Sequence, residues 1–120
     1  MIVGSIKEDL TEEKRVSLTP ETAKNIIGLG LEVCIEKNYA IHLGIDDSEY
    51  KKIGVQIKNT SDEVVNLSNA IIRVNCPSEK DINSLKENTI LIGMLNPSKN
   101  KNIIKKIIKK KIKIFSLELL

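Results

Sequence analysis

The chain has no tryptophan, one phenylalanine, two tyrosines and one histidine, and only two of its nineteen basic residues are arginine. With so few aromatics it lacks the stacking platforms on which single-stranded nucleic acids are held. His42 has no second histidine, and neither Cys34 nor Cys76 lies at ligand spacing from it, which argues against a zinc site. Two cysteines make no disulfide framework, so the cytosol, with both thiols reduced, is the expected compartment. No apolar run approaches the roughly 18 residues of a membrane span, and the opening MIVGSIKED lacks the profile of a secretory signal. What remains is 120 residues, 41% hydrophobic and 29% charged, the composition of one ordinary soluble domain or a piece of one. Such a length buries about two thirds of its extended surface without help from metals or disulfides.

Charge is distributed unevenly. Lys99 to Lys113 holds eight lysines and no acid, which leaves eleven basic against sixteen acidic groups elsewhere. A basic stripe of this kind can bind nucleic acid by counterion release, but none of Tyr39, Tyr50 and Phe115 lies on it. A solvated helix face is the simpler reading, and no nucleic-acid partner is expected. The twenty isoleucines, seventeen lysines and eleven asparagines are also the bias that AT-rich codons produce, so lysine content by itself says little about ligands.

Apolar runs rich in β-branched residues mark strands at Ile2 to Ile6, Leu31 to Ile35, Val55 to Ile57, Ala70 to Val74, Ile90 to Leu95 and Ile112 to Leu117. Ile71-Ile72 and Ile90-Leu91-Ile92 are near-continuous, as suits strands covered on both faces of a parallel sheet. Helix signals fall between them. Thr19-Pro20-Glu21 supplies a capping hydroxyl, a first-turn proline and an acid, and Gly28 or Gly30 can close that helix. Further helices are expected at Asp47 to Ile53, from Ser61, from Ser78 and from near Ser98, the last with Ile103, Ile104, Ile107 and Ile108 as its buried stripe. The alternation predicts an α/β fold, a doubly wound, mostly parallel sheet of Rossmann or flavodoxin-like type. The chain stops at Ser116-Leu117-Glu118-Leu119-Leu120, where a strand has just delivered its C-terminal end, an arrangement expected of a part-chain truncated at its C-terminus.

Ligands of open α/β sheets bind beyond the C-terminal strand ends, which directs attention to three loops expected to share one rim. The first holds Lys7-Glu8 and then Arg15 to Pro20, the second Asn75-Cys76-Pro77 after Arg73, the third Asn96-Pro97. Lys7, Arg15, Asn75 and Asn96 are the cleft-lining candidates. The planar fork of Arg15 suits a carboxylate or phosphate, or an ion pair with Glu8, Glu12 or Glu13. The amide of Asn75 can position a substrate or hold the turn before Pro77. Cys76 has no basic partner in sequence to activate it, and Cys34 reads as a small core residue. No G-x-G-x-x-G or Walker sequence follows a strand, so no catalytic, metal or cofactor-binding residue is assigned within residues 1–120.

Ile2-Val3-Gly4-Ser5-Ile6-Lys7-Glu8, followed by Glu13-Lys14-Arg15-Val16-Ser17-Leu18-Thr19-Pro20, resembles the opening of the alanine dehydrogenase and NAD(P) transhydrogenase superfamily. The resemblance continues through Gly30-Leu31-Glu32-Val33, Ile71 to Pro77 and Leu95 to Asn100, and so spans essentially the whole chain. The family's Gly-Ala-Gly stretch after the second strand is Asn38-Tyr39-Ala40 here. By this resemblance residues 1–120 are an N-terminal lobe, with the nucleotide-binding domain absent from it.

The resemblance also implies a function. Alanine dehydrogenases carry a substrate-contacting lysine where this chain has Asn75 and a catalytic histidine where it has Asn96, and both asparagines are closer to the α subunit of the proton-translocating transhydrogenases. That branch implies an oxidoreductase that passes hydride between NAD(H) and NADP(H), coupled to proton translocation. The cofactors NAD and NADP belong to the full enzyme, and residues 1–120 alone are expected to bind neither and to be inactive. Implied partners are a membrane-embedded component, an NADP-binding component and a second copy of the intact subunit, at a cytoplasmic location peripheral to the inner membrane. Two alternatives stay open: an NAD-dependent alanine dehydrogenase-like enzyme, and a free-standing α/β binding domain whose lysine helix docks on an acidic partner or nucleic acid.

Overall fold

In the computed structural model, which describes residues 1–95 and 99–116, the strands are β1 (Ile2–Ser5), β2 (Glu32–Glu36), β3 (Gln56–Lys58), β4 (Ala70–Asn75), β5 (Ile90–Met94) and β6 (Lys113–Ser116). The helices are α1 (Pro20–Gly28), α2 (Asp47–Lys51), α3 (Ser61–Leu67), α4 (Glu79–Ser84) and α5 (Lys101–Lys109). Every strand pairing is parallel, in the order β3-β2-β1-β4-β5-β6. This is the doubly wound order with its reversal between β1 and β4, and it bears out the fold expected from the alternation.

Local chemistry starts the helices where the sequence signals stand. Thr19 Oγ1 accepts from Thr22 N–H at 3.2 Å before Pro20, Thr60 from Glu63 N–H at 3.2 Å and Ser78 from Asp81 N–H at 3.3 Å. Such caps satisfy amides that a helix start leaves without internal partners. Gly30, at φ +91° just past α1, takes the left-handed position that ends it. Two expected helices are shorter than expected, α2 ending at Lys51 and α5 beginning at Lys101.

Right-handed crossovers place α1 and α2 on one face and α3, α4 and α5 on the other. Two cores result: Val33, Ile35, Tyr39 and Tyr50 pack under α1 and α2, while Cys34, Val64, Ile71, Leu91 and Ile107 fill the opposite side. Gly4 is required by the second core. A Cβ there would lie 2.0 Å from Ser68 Oγ and 2.9 Å from Val64 Cγ1, so the bare backbone lets α3 sit down on β1.

The α5 stripe differs from expectation at one position. Ile107 is buried, but Ile108 is 63% exposed, because it turns off the flank of a helix that lies over the outermost strand. Not all the lysines expected to face water do so freely. Lys110 Nζ donates to the Ile82 and Asn83 carbonyls at 3.0 and 2.7 Å, and Lys106 pairs with Glu79, so both tie α5 to α4. No helix among the described residues is long and apolar enough to cross a membrane.

Candidate functional site

At the reversal point β1 and β4 run side by side with no crossover covering their C-terminal ends, which leaves a crevice. The chain leaves β1 through Ile6 and Lys7 and turns back so that Glu8 reaches β4. The Glu8 carboxylate accepts from Arg73 Nε and Nη2 at 3.4 and 3.3 Å, and from the backbone N–H groups of Val74 and Asn75 at 3.1 Å each. Arg73 Nη1 also meets Asp81 Oδ2 at 3.2 Å. The side chains of Arg73 and Glu8 are 6% and 1% exposed. A carboxylate buried to that degree needs a partner of opposite charge and further donors to offset the loss of its hydration. This clasp locks the β1 loop to the end of β4 and fixes the width of the crevice.

A second hub supports the loop from below. Tyr39 Oη accepts from Ser17 N–H and Leu18 N–H at 3.2 Å each. It lies 2.7 Å from Ser5 Oγ, and Ser5 donates its own proton to the Ile72 carbonyl at 2.6 Å. Counting protons, Tyr39 is therefore the donor to Ser5. Tyr50 donates to the Leu18 carbonyl at 2.7 Å and meets the Tyr39 ring edge-on at 6.0 Å. Burial pushes both phenols above their ordinary range, so they act as fixed hydroxyls. Asn38 enters the hub at φ +59°, a left-handed position that asparagine tolerates better than most side chains, which is how Asn38-Tyr39-Ala40 makes a turn without glycine.

Above the clasp a cleft of about 390 Å³ is lined by Lys7, Glu12, Asn75, Pro77 and Asn100 among others. An adjoining cleft of about 470 Å³ shares Glu12, Asn75, Cys76 and Asn100 and adds Met94 and Lys99. The Asn100 amide donates to the Leu95 carbonyl at 2.9 Å, tethering the start of α5 to the end of β5. Residues from the first two expected loops, Lys7 and Asn75 to Pro77, meet Met94, Lys99 and Asn100 on one rim; the third expected loop, Asn96-Pro97, lies outside the described residues. A depression of similar size, about 400 Å³, lies at the opposite edge around Asn69, Asn88 and Lys113, at the N-terminal strand ends, where open α/β sheets do not build their sites.

The four sequence candidates separate. Lys7 and Asn75 line the cleft. Arg15 does not: its side chain is 71% exposed and grips Glu13 bidentately at 2.8 and 2.9 Å, the ion-pair alternative. That grip holds the Glu13 carboxyl down to about 2. Asn96 lies outside the described residues. Nearby, the Thr11 hydroxyl and N–H lower the Asp9 carboxyl. Sequence reasoning passed over Glu8–Arg73 as a pair because 65 positions separate them; the available signal was an arginine at a strand end in a chain that otherwise uses lysine.

The Cys34 thiol is pushed up by burial, as befits a core residue, and His42 Nε2 donates to the Lys14 carbonyl at 2.7 Å. No group of three or more His, Cys, Asp or Glu among the described residues could hold a metal ion. Nor do the residues fit a dinucleotide pyrophosphate. Residues 6–19, between β1 and α1, contain no glycine, so the backbone cradle at a helix N-terminus that such a group needs is not built here.

The strand order and the polar crevice at its reversal define a Rossmann-like α/β lobe of the kind found in oxidoreductases. The family model for the alanine dehydrogenase/PNT N-terminal domain matches residues 4–120, and the chain belongs to that family. It is 30% identical over 118 residues to NAD(P) transhydrogenase subunit alpha of Haemophilus influenzae, spanning 98% of this chain and 23% of that protein. To alanine dehydrogenase of Methanococcus maripaludis it is 32% identical over 112 residues, spanning 93% and 30%. The structure of a transhydrogenase from Sinorhizobium meliloti superposes with a TM-score of 0.92 at 27% identity, over 100% of this chain and 36% of the other. These relatives are oxidoreductases, and the chain spans less than a third of the length of the two curated ones.

Proposed function

We propose that residues 1–120 form the N-terminal lobe of the NAD(H)-binding subunit of a proton-translocating NAD(P) transhydrogenase, inactive alone and serving as one wall of the cleft in which hydride passes between NAD(H) and NADP(H). The observation that carries this reading is Asn75. It sits in the cleft wall at the end of β4, its N–H fixed by Glu8, and puts a neutral amide where the alanine dehydrogenases carry a lysine for the substrate carboxylate. Hydride transfer between two nicotinamides needs the rings held in attack geometry rather than an acid or base. A rigid, clasped rim is what this lobe contributes. The dinucleotides are then held by residues outside this lobe, the NADP-binding and membrane-embedded components are the partners, and the intact subunit is a homodimer on the cytoplasmic side of the inner membrane.

Spectrophotometric assay of the enzyme containing this lobe tests the reading: hydride passes from NADPH to an NAD analogue, with no NADH formed from NAD and alanine. The comparable identity to alanine dehydrogenases keeps that activity as the second reading. Alanine-dependent NADH formation without transfer between dinucleotides would decide for it. The isolated 120-residue chain is expected to show no saturable heat on titration with NADH.

A further inference from the structure

The lysines in and just beyond α5 divide into two groups. Lys106 pairs with Glu79, Lys110 donates to the carbonyls of Ile82 and Asn83, and Lys111, just past the helix, stands 3.6 Å from Glu87. Lys101, Lys105 and Lys109 are exposed and have no hydrogen-bond or ion-pair partner among the described residues. Set four apart, they form one column along the helix, each about 6 Å from the next. Ile103 and Ile107 pack into the core, so the column looks straight away from the sheet, and the exposed Ile108 stands beside it.

Like charges one turn apart repel and weaken the helix that carries them. No acid on α5 relieves this. The chain does have acids: outside Lys99 to Lys113, sixteen stand against eleven basic groups. Codon bias accounts for how many lysines there are, but not for their segregation from those sixteen acids.

We propose that this face of α5 is an electrostatic docking surface for an anionic lipid bilayer, with the helix lying along the membrane and its lysine column among the headgroup phosphates. Ammonium groups on long flexible stems suit a diffuse, mobile array of charge, since each finds a headgroup independently. A lysine held at an anionic surface multiplies partitioning about fivefold, so the column is worth about a hundredfold. Lys106 and Lys111 sit in exposed ion pairs that are worth little in water, and they stand ready to join it. Ile108 can dip into the interface beside the column. A protein partner suits this face less well, because interface cores are poor in lysine and rich in aromatic residues and arginine, and α5 has neither of the latter. Nucleic acid suits it less well for the same lack, with no fork for base edges and no stacking ring. Lys101, Lys105 and Lys109 do not line the cleft between β1 and β4, so the docking is independent of the function proposed above.

The test is co-sedimentation of the 120-residue chain with vesicles of phosphatidylglycerol and phosphatidylcholine in equal parts, and with vesicles of phosphatidylcholine alone. Binding to the anionic vesicles only is expected, falling at least tenfold as salt rises from about 0.1 M to about 1 M and the screening length shrinks from about 10 Å to about 3 Å. The combined Lys101→Gln, Lys105→Gln and Lys109→Gln variant should bind about a hundredfold more weakly, and Lys105→Gln alone about fivefold. Both should melt no lower than wild type, since they relieve repulsion on an exposed face. The control is Lys24→Gln, Lys51→Gln and Lys52→Gln together, three exposed lysines on the α1 and α2 side, which changes net charge equally and should leave binding within about twofold. Equal loss in the control, equal binding to neutral vesicles, or no binding to anionic ones overturns the proposal. So does a single-stranded oligonucleotide that binds more tightly than the vesicles and is lost in the same triple variant, since nucleic acid would then be the occupant. Vesicle binding is read without hydride transfer, so an inactive enzyme whose lobe binds defeats only the proposed activity, and an active enzyme whose lobe does not bind defeats only the docking.

Discussion

Replacing Arg73 by methionine keeps the bulk of the side chain and removes the charge that faces Glu8. The carboxylate left behind is 1% exposed and retains two of its four donors, the N–H groups of Val74 and Asn75. Breaking a buried pair by deleting one partner costs about 3–5 kcal/mol, and the two surviving charge-bearing hydrogen bonds place the expectation near the lower end, about 3 kcal/mol. Asp81 adds little, because its side chain is 21% exposed and can rehydrate. A slope of about 1–1.5 kcal/mol per molar urea for a chain of this size turns the loss into a drop of about 2–3 M in midpoint. The assay is urea unfolding followed by far-UV circular dichroism at neutral pH. Adding Glu8→Gln in the same chain removes the orphaned charge and should recover about 1–2 kcal/mol, a coupling that a double-mutant cycle reads directly. Arg73→Lys, which keeps charge but not the fork, should fall between wild type and Arg73→Met. A loss below about 1 kcal/mol for Arg73→Met, or strictly additive losses in the cycle, would refute the clasp as the element that joins the two loops.

Gly4→Ala should destabilise by about 2 kcal/mol or more in the same urea assay, since the new Cβ would stand 2.0 Å from Ser68 Oγ; Ser68→Gly in the same chain should restore part of it. Tyr39→Phe strips the acceptor from two backbone amides and should cost about 2–3 kcal/mol, against about 1–1.5 for Tyr50→Phe, which loses one bond to the Leu18 carbonyl; thermal melts compare the two. The Glu13 carboxyl, lowered from 4.5 to about 2 chiefly by the Arg15 hydrogen bonds, favours the folded chain fully above pH 4.5, and this contribution fades as pH falls towards 2. Carboxyl NMR titration should find that low midpoint in the wild-type chain and a return towards 4.5 in Arg15→Ala.

Much of the architecture is legible along the chain because it is decided locally. Caps at Thr19 and Ser78 and the left-handed Gly30 act within a few residues, while the third helix, expected from Ser61, takes its cap from Thr60; β-branched runs mark the six strands among the described residues. The expected rim at Asn75 follows from the ligand rule for parallel sheets once the alternation is read. The Ile108 flank could not be read this way: the helical period of α5 says which residues share a stripe, not how far the sheet extends beneath it. Asn38-Tyr39-Ala40 likewise gives no hint in sequence that a tyrosine hydroxyl gathers Ser5, Ser17 and Leu18.

By itself, then, the order of residues determined the succession of strands and helices, the parallel class, the family, and the absence of a phosphate-cradling turn, since each depends on short-range periodicity or on which side chains exist. Tertiary structure alone decided that Glu8 clasps Arg73 and that Met94 and Phe115 stand exposed. Those outcomes depend on which strands become neighbours and on which face each crossover lands, and long-range pairing energies together with chain handedness, rather than any local preference, settle both.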